Sequence, residues 1–229
     1  MPNLPRKLPP DISFDEAEDE CIFTRSALLA DPDAKDLAAE TDDWMPYVDN
    51  ARAADRTARM ARGEADAERV VANRRFDGAC TGFGDELYIA VNKDRASTRW
   101  LMFFSVPVNR FVRQALDKQI QKVQGWLSGS QDPVLNTHRS NLTQWMTASD
   151  TAINKQKAAA MKQGEAKLAR EEMADALTRE RDGLYELLSA RAREKNLPRE
   201  WPSQFFRIVR RKEEEENAGE AAGGEGKVG

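Results

Sequence analysis

A single histidine, His138, is the only imidazole that 229 residues offer. No His-x-x-x-His, Glu-x-x-His or paired-cysteine spacing occurs, which argues against a zinc site and against the di-iron carboxylate sites of helical bundles. No metal and no other cofactor is expected. The two cysteines, Cys21 and Cys80, lie in unrelated contexts and read as reduced, buried thiols. No stretch approaches the ~18 consecutive apolar residues needed to cross a bilayer. The opening Met1-Pro2-Asn3-Leu4-Pro5 lacks the basic-then-apolar order of a secretory signal, so a cytoplasmic protein away from membranes is expected. Gly82-Phe83-Gly84 is a lone Gly-x-Gly without a following Lys-Ser/Thr, and no Gly-x-Ser-x-Gly elbow is present. No residue is assigned a catalytic role, and the chain is expected not to be an enzyme.

What the chain does contain is self-similarity. Residues 31–104 align without a gap on residues 132–205 at an offset of 101. Asp31-Pro32 meets Asp132-Pro133, Trp44-Met45 meets Trp145-Met146, and Gly63-Glu64-Ala65 meets Gly164-Glu165-Ala166. Trp100 and Phe104 meet Trp201 and Phe205. Two of the five tryptophans thus fall on two others, and a fixed period of this kind sets the architecture before any site is considered. The expected fold is all-α: a tandem duplication of a roughly three-helix unit forming an elongated bundle. The repeats span 13–106 and 107–209. An extended proline-rich arm over 1–12 and a disordered charged and Gly-rich tail over 210–229 flank them.

Within each repeat, the expected core is Trp44, Met45, Trp100 and Phe104, and Trp145, Met146, Trp201 and Phe205. Ser13-Phe14-Asp15-Glu16 has the form of a capping box opening a helix to about Leu29, with Ile22, Phe23, Ala27 and Leu28 on its apolar stripe. Asp-Pro reads as a helix start in both repeats. Pro46 is expected to kink or restart its helix. Gly63 and Gly164 are expected at the tips of Ala-rich hairpins, because glycine is favoured just past a helix end. The glycines between Asp77 and Gly84 are expected to break the first-repeat helix. One amphipathic helix is expected from Pro107 to Gly129.

Charge is unevenly placed. The net −4 divides into −8 over residues 1–98, +6 over 99–163 and −2 over 164–229. The leading functional reading is a non-enzymatic structural or protein-interaction protein, a scaffold or assembly component, whose partner is protein. Self-association through acidic and basic faces fits this split. The alternative is a nucleic-acid-associated protein. Arg110, Arg113, Lys118 and Lys122 after Pro107, with Lys155 and Lys157 on the Ala-rich helix, would track a phosphate backbone. A sequence pI near 5.3 weighs against a dedicated nucleic-acid binder.

Overall fold

The computed structural model describes residues 7–207. Among them every regular element is helical. Helix α1 is Phe14–Ala30, a 3-10 turn covers Lys35–Thr41, and α2 is Trp44–Ala90. Two short helices, α3 (Thr98–Leu101) and α4 (Val108–Phe111), lead to α5 (Leu116–Gly129). Helix α6 is Pro133–Glu194, and a final 3-10 turn covers Trp201–Phe205.

Proline explains where the two long helices can run. Between Pro46 and Pro107, and again between Pro133 and Pro198, the chain contains none. Proline removes a backbone donor and clashes with the preceding turn, so these intervals are the ones open to uninterrupted helix. Alanine supplies the rest. Ala51, Ala58, Ala65 and Ala72 of α2 recur every seven residues and are buried, as are Ala152, Ala159, Ala166 and Met173 of α6. A seven-residue repeat keeps one seam facing a partner helix, and alanine lets the backbones approach closely. Both helices stop in the same way. Lys93 N–H donates to the Tyr88 carbonyl at 2.8 Å and Leu197 N–H to the Ala192 carbonyl at 2.9 Å. Asn92, Lys93 and Asn196 take left-handed φ of 53°, 64° and 54° to permit the closure.

Several expectations are corrected. There is no hairpin at Gly63 or Gly164: both lie inside continuous helix, with no positive φ and open space where a side chain would stand. A glycine inside a helix costs about 1 kcal/mol, which the buried alanine seam on either side offsets. The glycines of 77–84 do not break α2 either. Gly84 is buried, and a Cβ there would come within 2.5 Å of Val108 Cγ2, so its smallness admits α4 rather than ending the helix. Pro46 imposes no break because it is the third residue of α2, where the N–H has no intrahelical acceptor. The stretch after Pro107 is two helices, α4 and α5, parted at 112–115. The buried face of α1 is Ala17, Glu20, Cys21, Thr24 and Leu28, while Ile22 and Phe23 are exposed.

The capping box at Ser13 is present with both reciprocal bonds. Asp132 opens α6 as expected, its Oδ1 accepting from Val134 N–H at 2.9 Å, whereas Asp31 opens no α-helix: it ends α1, and a 3-10 turn follows from Lys35. Of the proline-rich arm, Leu8 and Ile12 are buried, and Leu8 N–H donates to Thr178 Oγ1 at 3.2 Å. The expected tail at 210–229 lies outside the described residues.

The chain forms two compact units, 1–54 with 167–229, and 55–166. These are not the segments 13–106 and 107–209: each unit takes the opening of one segment and the close of the other. Unit 1 packs α1, the first 3-10 turn, the start of α2, the end of α6 and the closing 3-10 turn around Trp44, Leu28, Leu177, Leu188 and Phe205. Unit 2 packs the end of α2, α3, α4, α5 and the start of α6. Its core is aromatic, with Trp126 placing its ring 5.0 Å from Phe104 and 5.1 Å from Phe111, and Phe83 lying 5.1 Å from Phe103.

Candidate interaction surface

The expected core residues lie at three depths. Trp44, Trp100, Phe104, Trp201 and Phe205 are buried. Met45 and Met146 are half-buried, each at the margin of its unit's core. Trp145 is also half-buried, with the Arg75 guanidinium 5.8 Å from its ring. Trp44 is the first residue of α2 and seals unit 1, whereas Trp145 lies three turns into α6 at the edge of the unit 2 core.

The six candidate contact residues all fall in unit 2 and are all exposed. Arg110 belongs to α4, Arg113 to the break after it, and Lys118 and Lys122 stand one turn apart on α5. Lys155 and Lys157 are on α6. Lys155 is already engaged, its Nζ 2.6 Å from Glu68 Oε1. The side chains of Arg110, Arg113, Lys118, Lys122 and Lys157 have no carboxylate partner among the described residues. That contrasts with unit 1, where cations are largely matched: Arg52 with Asp15 and Glu18, Arg181 with Glu20, Arg191 with Asp36, Lys195 with Asp33 and Arg207 with Asp19.

The charge split follows the units. In the described residues unit 1 carries 13 Lys+Arg against 21 Asp+Glu, a net −8, and unit 2 carries 17 against 12, a net +5. The unpaired cations of unit 2 include one that sequence reading did not single out. Arg95 follows the end of α2, stacks 4.7 Å from the Tyr88 ring centroid, and shares a groove of about 720 Å³ with Arg110. Tyr88, Trp100, Pro107 and Val108 supply its apolar walls, and Asp85 is the acid among its lining residues. Nothing in the local sequence pairs Arg95 with Arg110. Only the packing of α4 across Gly84 brings them to one groove.

The remaining polar groups are structural. His138, placed opposite Leu37 in the alignment, holds its Nε2 3.0 Å from Glu86 Oε2 and its ring 6.0 Å from Phe83. Glu20 and Arg181 form a buried pair at 2.9 Å, each side chain 2% exposed. Burial pushes the Glu20 carboxyl above its ordinary range, against the pull of Arg181. Burial likewise drives the Cys21 thiol up to about 12 and raises Cys80 further, with the neighbouring carboxylates of Glu20 and Asp77 adding to it. No described helix is long and apolar enough to cross a membrane.

The fold therefore defines an all-α protein with a surface of unpaired cations on one of its two units. No family model, curated protein or solved structure matches the chain.

Proposed function

We propose that this chain is a non-enzymatic structural or interaction protein that associates with protein, including copies of itself, through an acidic unit and a basic one. The observation that carries the reading is the pairing of a net −8 in unit 1 with a net +5 in unit 2, whose Arg110, Arg113, Lys118 and Lys122 have no carboxylate partner among the described residues. Complementary potentials of this kind steer encounter and fix register.

A tandem duplication underlies the reading. Its support is that the matched residues Asp31 and Asp132 make matched bonds: each accepts from a backbone N–H two residues on and holds the closing segment of the other repeat. Against it, the left-handed closures that end the two long helices, at Asn92 and Asn196, fall three residues out of that register, and Trp44 and Trp145 lie at different depths. Two similar units are an economical way to build complementary faces.

The test is molar mass by light scattering after size exclusion at low and high salt. Species larger than 25.8 kDa that dissociate as salt rises support the reading, because exposed charge pairs are screened over ~10 Å at 0.1 M. A monomer in both conditions overturns it. The second reading, nucleic-acid association, draws on the same unpaired Arg110, Arg113, Lys118 and Lys122. Reversing these four charges so that retained nucleic acid is lost while oligomer size is unchanged would favour it.

A further inference from the structure

We infer that the groove of Arg95 and Arg110 in unit 2 receives the acidic turn Glu40–Asp43 from unit 1 of a second copy. This rests on the self-association proposed above and names its two surfaces.

The acidic side is narrowed by the ion pairs, which leave Asp11, Glu40, Asp43 and Asp49 exposed and uncommitted, and Glu40 and Asp43 alone share one turn. Most carboxylates in the amino-terminal part of unit 1 are occupied: Asp15 and Glu18 by Arg52, Asp19 by Arg207, Asp33 by Lys195, Asp36 by Arg191 and Asp42 by Arg25. Glu40 is in the last turn of the 3-10 segment and Asp43 immediately precedes α2; both are exposed and have no side-chain partner among the described residues. They are two uncommitted acids three residues apart. Met45, half-buried beside them, adds an apolar contact.

The basic side is the matching shape. Arg95 and Arg110 line one concave groove, whereas Arg113, Lys118 and Lys122 are exposed on the segment that leads away from it. The groove combines two guanidiniums with Tyr88, Trp100, Val108 and Asn109, and its one acid, Asp85, leaves the lining net positive. Guanidinium groups present forked donors that fit carboxylates better than a lysine point charge does. With Arg95 already stacked on Tyr88, less side-chain freedom is lost when a carboxylate arrives.

The turn of one copy meets the groove of another, so the contact closes a two-fold dimer where two copies pair reciprocally. Where they do not pair reciprocally, it repeats from copy to copy as a larger ring or an open chain.

Two neutralised proteins test it: Arg95→Ser with Arg110→Ser, and Glu40→Gln with Asp43→Asn, each first checked for unchanged helical circular dichroism. At low salt the wild type exceeds 25.8 kDa, and each variant alone runs as a monomer. Mixed one to one, the variants keep one intact groove and one intact turn, so they form a dimer of about twice the chain mass and nothing larger. Three results overturn the inference: either variant assembling like the wild type, a mixture that stays monomeric, or a mixture that grows beyond a dimer. A control carrying Arg113→Ser, Lys118→Ser and Lys122→Ser keeps wild-type mass if the groove is the site. Loss of assembly in this control alone would place the contact on α5 instead. A wild type monomeric at every salt concentration would instead sink the self-association reading itself.

Discussion

The indole Nε1 of Trp201 donates to Asp31 Oδ2 at 2.9 Å, joining residues 170 positions apart. Asp31 caps the end of α1 and accepts from Asp33 N–H at 2.8 Å, so one carboxylate serves the local turn and the distant closing segment together. Asp132 does the same in unit 2, binding Arg99 through both oxygens at 2.6 and 2.9 Å while capping α6.

Replacing Asp132 with alanine is expected to destabilise the protein by about 1–3 kcal/mol, since a helix cap and two charge-assisted bonds are lost together. The Arg99 guanidinium, helped by the Val134 and Leu135 N–H groups, holds the Asp132 carboxyl below its ordinary 3.8. A lowered folded-state pKa contributes stability that is present above 3.8 and is lost as pH falls through the folded value. Urea melts of wild type and Asp132→Asn between pH 5 and 2 should therefore converge. A constant gap across that range would contradict this account.

The glycines separate into two kinds. Gly84→Ala should destabilise by about 1–3 kcal/mol, because its Cβ would overlap Val108 and reach Phe104 within 3.4 Å. Trimming Val108 to alanine in the same protein should recover part of the loss. Gly63→Ala and Gly164→Ala meet open space inside helices and should each stabilise by about 0.5–1 kcal/mol. Thermal melts of the single and combined variants decide between these signs.

Breaking the Glu20–Arg181 pair from one side strands a buried charge. Arg181→Leu alone should cost about 3–5 kcal/mol, while Glu20→Met with Arg181→Leu should lie near wild type or above it. The raised Glu20 pKa acts oppositely to Asp132: its linked stability is fully present below 4.5 and is lost as pH rises through the folded value. The double variant should lack that component. Equal destabilisation by the single and double changes would show that the pair is not the source.

Cys21 and Cys80 are buried with raised thiol pKa values, so the thiolate needed for reaction is scarce. A disulfide reagent at pH 8 should titrate almost no thiol in the native protein and both in denaturant. Rapid native reaction of either would mean local opening of that helix.

Features set by local chemistry were readable from the residues alone. Ser13 with Glu16, and Asp132 with Pro133, announce helix starts through bonds made within four residues, and both are present. The burial of Trp100, Phe104, Trp201 and Phe205 follows from aromatic size. What escaped depends on distant partners. The buried face of α1 carries Glu20 and Thr24 because Arg181, 161 positions away, neutralises the acid. Reading only apolar side chains turned the helix toward Ile22 and Phe23. Gly84 looked like a breaker because α4, the element that needs its small size, is not adjacent in the chain. Arg95 and Arg110 meet only once that same packing is known.

Unit 2 is one uninterrupted stretch of 112 residues, and unit 1 is made from what lies on either side of it. During synthesis residues 7–54 leave the ribosome long before the 167–207 segment that completes their core. At about 5–20 residues per second the interval is several seconds or more, with Leu28 and Trp44 left uncovered. Once unit 2 has closed, the end of α2 and the start of α6 are held in one body, which removes most of the loop-closure entropy of bringing the outer segments together. The inserted unit is therefore expected to close before the one that surrounds it in sequence.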